Sequence, residues 1–166
     1  MKDSRRRWRG LAVCILLAAA LSSLSGVRAG ANVAAPYPGT QTAATKHAFD
    51  VLVDRLERAI EKNRMGLVAQ ASASRGAAQR GVKIPGNTVL MVFRNDFAVR
   101  MLAASVPAGI EAPIRIYVTE GADGTASVTY RMPSAVFAPY KNAELDALSR
   151  ELDLIFARIV RDAVGD

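Results

Sequence analysis

The chain has little of the chemistry on which most enzymes depend, because its 166 residues include one cysteine, one histidine and one tryptophan. A serine triad or a cysteine–histidine dyad needs an imidazole hydrogen-bonded to the nucleophile, and His47 is the single candidate. Structural zinc sites recruit several cysteine or histidine ligands. The composition argues against the common nucleophilic hydrolases and zinc proteins, and we predict no catalytic residue, no metal site and no cofactor.

Motifs for phosphate and nucleic-acid binding are missing as well. Gly121–Gly124 is followed neither by a helical pattern nor by Gly-Lys-Ser/Thr, as a phosphate loop would be, so we interpret it as a hairpin turn. The formal net charge of +7 comes largely from residues 1–29. Basic residues further along the chain alternate with acids, whereas nucleic-acid binding needs them clustered on the folded domain. We therefore predict no nucleic-acid partner.

The N-terminal segment is typical of an export signal. Basic residues precede the apolar run Leu11–Leu24, and small residues surround a cleavage site before Gly30. We predict that residues 1–29 are a signal peptide cleaved after Ala29, and that the protein is periplasmic or secreted. The apolar run is shorter than the roughly 20 residues of a membrane span, so no stable span is expected after cleavage. Ser4–Trp8 loosely resembles a twin-arginine signal, and both export routes stay open.

Two further segments follow the predicted signal. Residues 30–45 have no apolar period and contain Pro36 and Pro38, so we predict a flexible linker. Residues 46–166 are predicted to form a single domain. Its first helix carries an apolar stripe beginning at Phe49 and is expected to end at Gly66.

Strand patterns occupy the middle of this domain. Leu67–Ser72 is a candidate short strand, and Thr88–Arg94 is predicted as a buried strand because it is apolar and β-branched. Ile114–Thr119 and Ala126–Arg131 alternate with period two and flank the predicted hairpin turn. Asn142 is a good N-cap for a long final helix. These elements predict an α+β fold, a mostly antiparallel sheet with helices packed on one face.

The candidate functional surface is the second face of that sheet. If the aliphatic residues of the two hairpin strands pack under the helices, their arginine, tyrosine and threonine residues lie on the opposite side. Leu90, Val92 and Arg94 of the central strand are expected to join them, and Asn95 lies beside them as the predicted cap of a helix over 97–105. The candidate ligand or partner surface comprises Arg94, Asn95, Arg115, Tyr117, Thr119, Thr129 and Arg131.

Three segments, taken together, carry a family resemblance. They are Phe93-Arg94-Asn95, Met101 through Val118, and Asp123 through Pro133. Over residues 46–164 the chain resembles the bacterial family catalogued as domain of unknown function 302. The resemblance implies an α+β domain grouped with TATA-binding-protein-like folds, often dimeric and without an established activity.

The chain departs from this family's pattern at two places. Where many relatives have an Asp-His pair after the second strand, this sequence has Ser72 and Ala73, and where they have Asn-Pro it has Asn95-Asp96. An acid–base or metal role of the Asp-His pair therefore does not carry over. A fold likeness to a DNA-binding protein likewise transfers no DNA binding.

Two hypotheses for function remain. The first is an exported, non-catalytic domain that binds a protein partner or small ligand, or self-associates as a homodimer, through the exposed sheet face. Its mixture of arginine, tyrosine and aliphatic groups is typical of interfaces, and Arg94, Arg115 and Arg131 could hold an anionic ligand. The alternative is an enzyme of unknown class that uses Tyr117 or Tyr130 with Arg115 and Glu120 in a sheet cleft.

Overall fold

Helices separate the first four strands, and two further helices follow the fifth strand. The computed structural model describes residues 37–165. Two 3-10 segments, Val106–Glu111 and Ala138–Tyr140, connect the larger elements. The elements in order are β1 (Thr40–Ala48), α1 (Phe49–Lys62), β2 (Gly66–Ala71), α2 (Ala73–Ala78), β3 (Asn87–Phe93), α3 (Asn95–Ala104), β4 (Ile114–Glu120), β5 (Thr125–Arg131), α4 (Pro133–Phe137) and α5 (Ala143–Val164).

The five strands form one sheet in the order β1-β5-β4-β3-β2, and every neighbouring pair is antiparallel. The predicted hairpin joins β4 to β5. Asp123 closes its turn, because its carboxylate accepts hydrogen bonds from the Thr125 hydroxyl at 2.8 Å and main-chain N–H at 3.0 Å. These bonds lower the pKa of Asp123. The predicted α+β class with a mostly antiparallel sheet is confirmed.

The hydrophobic core lies between one face of the sheet and the two long helices. Leu90, Ile116 and Val128 point into it from β3, β4 and β5 and are fully buried. Phe156 on α5 is also fully buried, with its ring centroid 5.8 Å from that of Tyr130. Burial of apolar surface on this face stabilises the fold and leaves the other face to other roles.

The predicted linker is wrong for residues 40–45, which belong to β1. This edge strand pairs with β5, and the hydroxyls of Thr42 and Thr129 lie 2.9 Å apart although 87 residues separate them in the chain. Its threonine and alanine residues carry no local apolar signal, because the strand is stabilised by a distant partner. The predicted signal peptide and residues 30–36 of the predicted linker lie outside the described residues.

The end of the first helix also differs from the prediction. α1 ends at Lys62, and Asn63 caps it by donating its main-chain N–H to the Ala59 carbonyl. Arg64 then adopts a left-handed conformation with φ of 58°. Gly66 is the first residue of β2 and not a helix cap. Among residues 37–165, no helix is both long and apolar enough to cross a bilayer.

Candidate functional site

The outward positions of the five strands form rows across the sheet, which together we call the outer face. Tyr117 lies opposite Thr129 on one side and Val89 on the other, and Arg115 lies opposite Met91. On β4 the outward residues Arg115 and Tyr117 are exposed, whereas Ile114, Ile116 and Val118 point inward and are buried. The rows of the outer face are Thr42, Thr129, Tyr117, Val89 and Ala71; Thr40, Arg131, Arg115, Met91 and Ala69; and Ala44, Ser127, Thr119 and Asn87.

Five of the predicted surface residues are therefore together on one face. They are Arg115, Tyr117 and Thr119 on β4, with Thr129 and Arg131 on β5. The period-two alternation of the hairpin strands brings them together, because residues two apart on a strand point to the same side. Within the described chain, the strand positions of this face include two arginines and no Asp or Glu.

Arg115 and Arg131 form the charged part of the outer face. Since Ile116 pairs with Tyr130 and Tyr117 with Thr129, the same register places Arg115 opposite Arg131. Both line a cavity of about 40 Å³, together with Glu111, Ile114 and Val136. Both arginines thus line one small depression at the end of the sheet, beside the buried residues Ile114 and Val136.

The half-buried side chain of Arg131 is incompletely satisfied. Its Nε is buried and has no hydrogen-bond partner among the described residues. The guanidinium carbon lies 5.3 Å from the ring centroid of Tyr37, which is a cation–π contact. Buried polar groups are nearly always hydrogen-bonded, so this donor is unusual.

No acidic side chain of the described chain forms an ion pair with either arginine. Glu111 is the acid in the shared cavity, and its Oε1 accepts a hydrogen bond from the Tyr140 hydroxyl at 3.1 Å. Removal from water and this bond raise the pKa of Tyr140. Two positive charges therefore face one carboxylate that already has a partner.

Arg94 and Asn95 are not part of the outer face. Arg94 pairs with Asp96 at 2.7 Å, its guanidinium carbon lies 4.2 Å from the ring centroid of Phe97, and it lines a groove on the helix side. Asn95 is the first residue of α3 and makes no capping hydrogen bond, so its predicted capping role is wrong. Both residues come after the last position of β3.

Leu90 and Val92, which were expected to face outward, are buried in the core. They lie opposite Ile116 and Ile114 of β4, so they point toward the helices. The outward positions of β3 are instead Asn87, Val89, Met91 and Phe93, none of which belongs to the predicted surface. An unbroken apolar strand gives no sign of which residues face outward, because both alternating sets are hydrophobic.

The groups proposed for an enzyme site lie on different sides of the sheet. Tyr117 is 41% exposed on the outer face, whereas Tyr130 is buried in the core. The Glu120 carboxylate accepts a hydrogen bond from the main-chain N–H of Gly86 at 2.6 Å. Glu120 also lies opposite buried Ala126, so its backbone position belongs to the core side. The structure therefore does not gather Tyr130 and Glu120 around Arg115.

The family model described as domain of unknown function DUF302 matches residues 41–162. The chain belongs to the DUF302 family. A solved structure of an uncharacterized conserved DUF302 protein from Bacillus stearothermophilus is similar, with a TM-score of 0.69 and 16% sequence identity. The similarity covers 76% of this chain and 99% of that one. At this identity the likeness concerns the fold. No curated protein matches the sequence.

In this DUF302 domain, Ser72 and Ala73 lie at the start of α2. Ser72 Oγ accepts from the main-chain N–H of Arg75 at 3.2 Å and donates to the Asn87 carbonyl at 2.7 Å. Ser72 thus caps the short helix and ties it to β3. Between residues 37 and 165, no three His, Cys, Asp or Glu side chains are grouped so that they could hold a metal ion.

Proposed function

We propose that this DUF302 domain is an exported, non-catalytic recognition domain that binds an acidic ligand on the outer face of its sheet. The observation that carries the proposal is the pair Arg115 and Arg131, which share a cavity without an ion-pair partner in the described chain. Guanidinium groups recognise carboxylate and phosphate oxygens through charge-assisted hydrogen bonds. An acidic ligand would supply the acceptors that the described protein residues do not.

An ordinary solvent-facing sheet is the main alternative. Exposed arginines are satisfied by water, and Arg115 would fit that explanation. Arg131 favours the ligand, because its side chain is half-buried and has no ion-pair partner among the described residues, and a charged group partly removed from water normally has one. A bound oxyanion at this end of the sheet would provide one.

Self-association through the outer face is the second alternative. In a two-fold symmetric dimer the same patch lies on both sides of the interface. The strand positions of the described outer face offer no carboxylate, so burying Arg115 and Arg131 against a second copy would leave guanidinium groups unpaired. Unpaired buried charge is strongly unfavourable. An acidic ligand fits this face better than a second copy does.

The experiment is native mass spectrometry of the full chain expressed in an exporting host and purified from the exported fraction. We expect the wild type to carry an acidic small molecule that Arg115→Glu loses. Arg158→Glu is the matched control, because Arg158 is exposed on α5, away from the outer face. Protein without any bound species would contradict the proposal, as would a ligand that both variants retain. A dimer that Arg115→Glu alone dissociates would favour self-association.

Export itself is supported by the basic and apolar pattern of residues 1–29. Fractionation of the expressing cells should place the protein outside the cytoplasm, and N-terminal sequencing should begin at Gly30. Full-length protein retained in the cytoplasm would contradict this part of the proposal. The binding experiment is informative in either case, since the outer face is built from residues 40–131.

A further inference from the structure

Charged and apolar side chains occupy different parts of the outer face. In the row that contains the arginines, Arg131 on β5 and Arg115 on β4 are followed by Met91 on β3 and Ala69 on β2. The face therefore changes from basic to apolar as it crosses from β5 to β2.

The apolar part extends into the adjacent row. Val89 lies between Tyr117 and Ala71, and Val68 at the bulge of β2 is 53% exposed. Met91 and Val89 are only partly covered. Because strands lie roughly 4.8 Å apart, the arginines are followed by about 10 Å of mostly apolar surface. Methionine adapts its shape to irregular apolar ligands, and the Tyr117 ring adds a flat apolar surface.

The basic end has the charge to balance one carboxylate. Glu111 lines the same cavity as the arginines, so two positive charges and one negative charge meet there and leave a formal charge of +1. A single carboxylate neutralises that charge, whereas a doubly charged phosphate would leave excess negative charge in a partly desolvated site. Beyond the arginines, the side chains of Met91 and Ala69 offer no donor for a second anionic group.

We propose that the ligand of this face is a small amphipathic monocarboxylate, whose carboxylate is held by Arg115 and Arg131 and whose apolar part lies over Met91 and Ala69. This inference rests on the proposed function, since it specifies the ligand of the same face. Each guanidinium donates hydrogen bonds to the carboxylate oxygens. The apolar part of the ligand covers side chains that are otherwise wet.

The test is isothermal titration of the purified full chain with decanoate, below its micelle concentration. Acetate supplies the carboxylate alone, 1-octanol supplies an apolar chain without charge, and inorganic phosphate supplies a multiply charged oxyanion. We expect decanoate to bind at least tenfold more tightly than each of the other three. Backbone amide shifts caused by decanoate should concentrate in β3, β4 and β5.

Variants separate the two halves of the site. Arg115→Gln and Arg131→Gln should each weaken decanoate at least tenfold, whereas Met91→Thr should weaken decanoate without changing the weak binding of acetate. Arg158→Gln is the control and should bind decanoate as the wild type does. Circular dichroism and thermal unfolding establish that each variant is folded. If one of the two arginine variants does not fold, the other still tests the site.

Each result bears on the inference in a defined way. Acetate or phosphate binding as tightly as decanoate, or decanoate binding unaffected by both arginine variants, would overturn it. If decanoate fails but native mass spectrometry finds another acidic molecule that Arg115→Glu loses, the amphipathic class is wrong and the proposed function stands. If Arg115→Glu and Arg158→Glu carry the same species as the wild type, both proposals fail. A bound peptide in place of a small molecule would also contradict the inference.

Discussion

Arg55 on α1 donates from its Nε to the main-chain carbonyl of Ala163, near the end of α5, at 2.6 Å. Its Nη2 donates to the carbonyl of Gly165. The last carbonyls of a helix have no partner within the helix and carry partial negative charge, so a cation there is doubly favourable. This side chain therefore fastens the end of α5 to α1.

Replacing this arginine should destabilise the domain. Arg55→Met keeps most of the apolar stem but loses both donors, and we expect the free energy of unfolding to fall by about 1–3 kcal/mol. Arg58→Met, at an exposed position of the same helix, should change it by less than about 0.5 kcal/mol. Urea denaturation followed by circular dichroism measures both. Equal effects of the two substitutions would show that the bonds to Ala163 and Gly165 contribute nothing.

Alanine substitutions at two glycines with positive φ should distinguish the cost of backbone strain from the cost of a steric clash. Gly39 and Gly124 have φ of 77° and 81°. A Cβ at Gly124 would meet no atom within 4 Å, whereas one at Gly39 would collide with the Cβ of Ala135.

Gly124→Ala should therefore cost about 1–2 kcal/mol from strain alone. Gly39→Ala should cost a further 1–3 kcal/mol or so, because α4 must also shift. Thermal unfolding of the two variants supplies the comparison. If Gly39→Ala were no more destabilising than Gly124→Ala, Gly39 and Ala135 of α4 would not be in close contact.

Asn142 connects two helices as well as capping one. Its Oδ1 accepts from the N–H groups of Glu144 and Leu145 at 2.9 and 3.1 Å, and its Nδ2 donates to the Ala104 carbonyl at 3.0 Å. Asn142→Ala should lower the free energy of unfolding by about 1–2 kcal/mol through the cap alone. Asn142→Ser keeps an oxygen acceptor for the cap without placing a charge beside the Ala104 carbonyl, and should lose less. Chemical denaturation that ranks serine no better than alanine would contradict the capping role.

Stability should decrease in alkali because of Tyr130. Burial, with a smaller effect of the Asp153 carboxylate, raises the pKa of Tyr130 in the folded protein. The folded state then holds this proton more tightly than the unfolded state, whose tyrosines titrate near about pH 10. The stabilisation is complete below that pH and is lost as the pH rises through the folded-state pKa.

Tyr130→Phe removes the titrating group. Urea denaturation at about pH 9 and pH 11 should show a smaller loss of stability for this variant than for the wild type. Titration of lysines is common to both proteins and cancels in the comparison. Parallel losses would indicate that the hydroxyl is as accessible to water in the folded chain as in the unfolded one.

The elements predicted correctly are those with a local signal. The alternation of β4 and β5 and the capping residue Asn142 are visible within a few residues of sequence. β1 was missed, because its stability depends on pairing with β5, which lies far from it in the sequence. The predicted facing of the β3 residues was the reverse of the observed one for a similar reason. Leu90 faces inward because it pairs with Ile116, and the unbroken apolar run does not reveal that register.

The residues of the candidate site were predictable only where the local sequence pattern is clear. Arg115 and Arg131 follow from period two, since each belongs to a strand with clear alternation. The sequence pattern of β3 predicts Arg94 as its continuation, but α3 begins at the next residue, and Arg94 forms an ion pair with Asp96. Met91 carries no chemical signal of its own. Its place beside Arg115 is a product of the sheet order.

The pairing of Thr42 with Thr129, 87 residues apart, has a consequence during synthesis. When β1 leaves the ribosome, its partner strand has not been translated, and the β4–β5 hairpin is made only after α1, β2, α2, β3 and α3. Long-range pairing of this kind slows folding and leaves an unpaired strand available for incorrect association. A polypeptide held open by a chaperone until translation finishes would avoid that hazard, so the final yield of folded molecules should depend on such assistance.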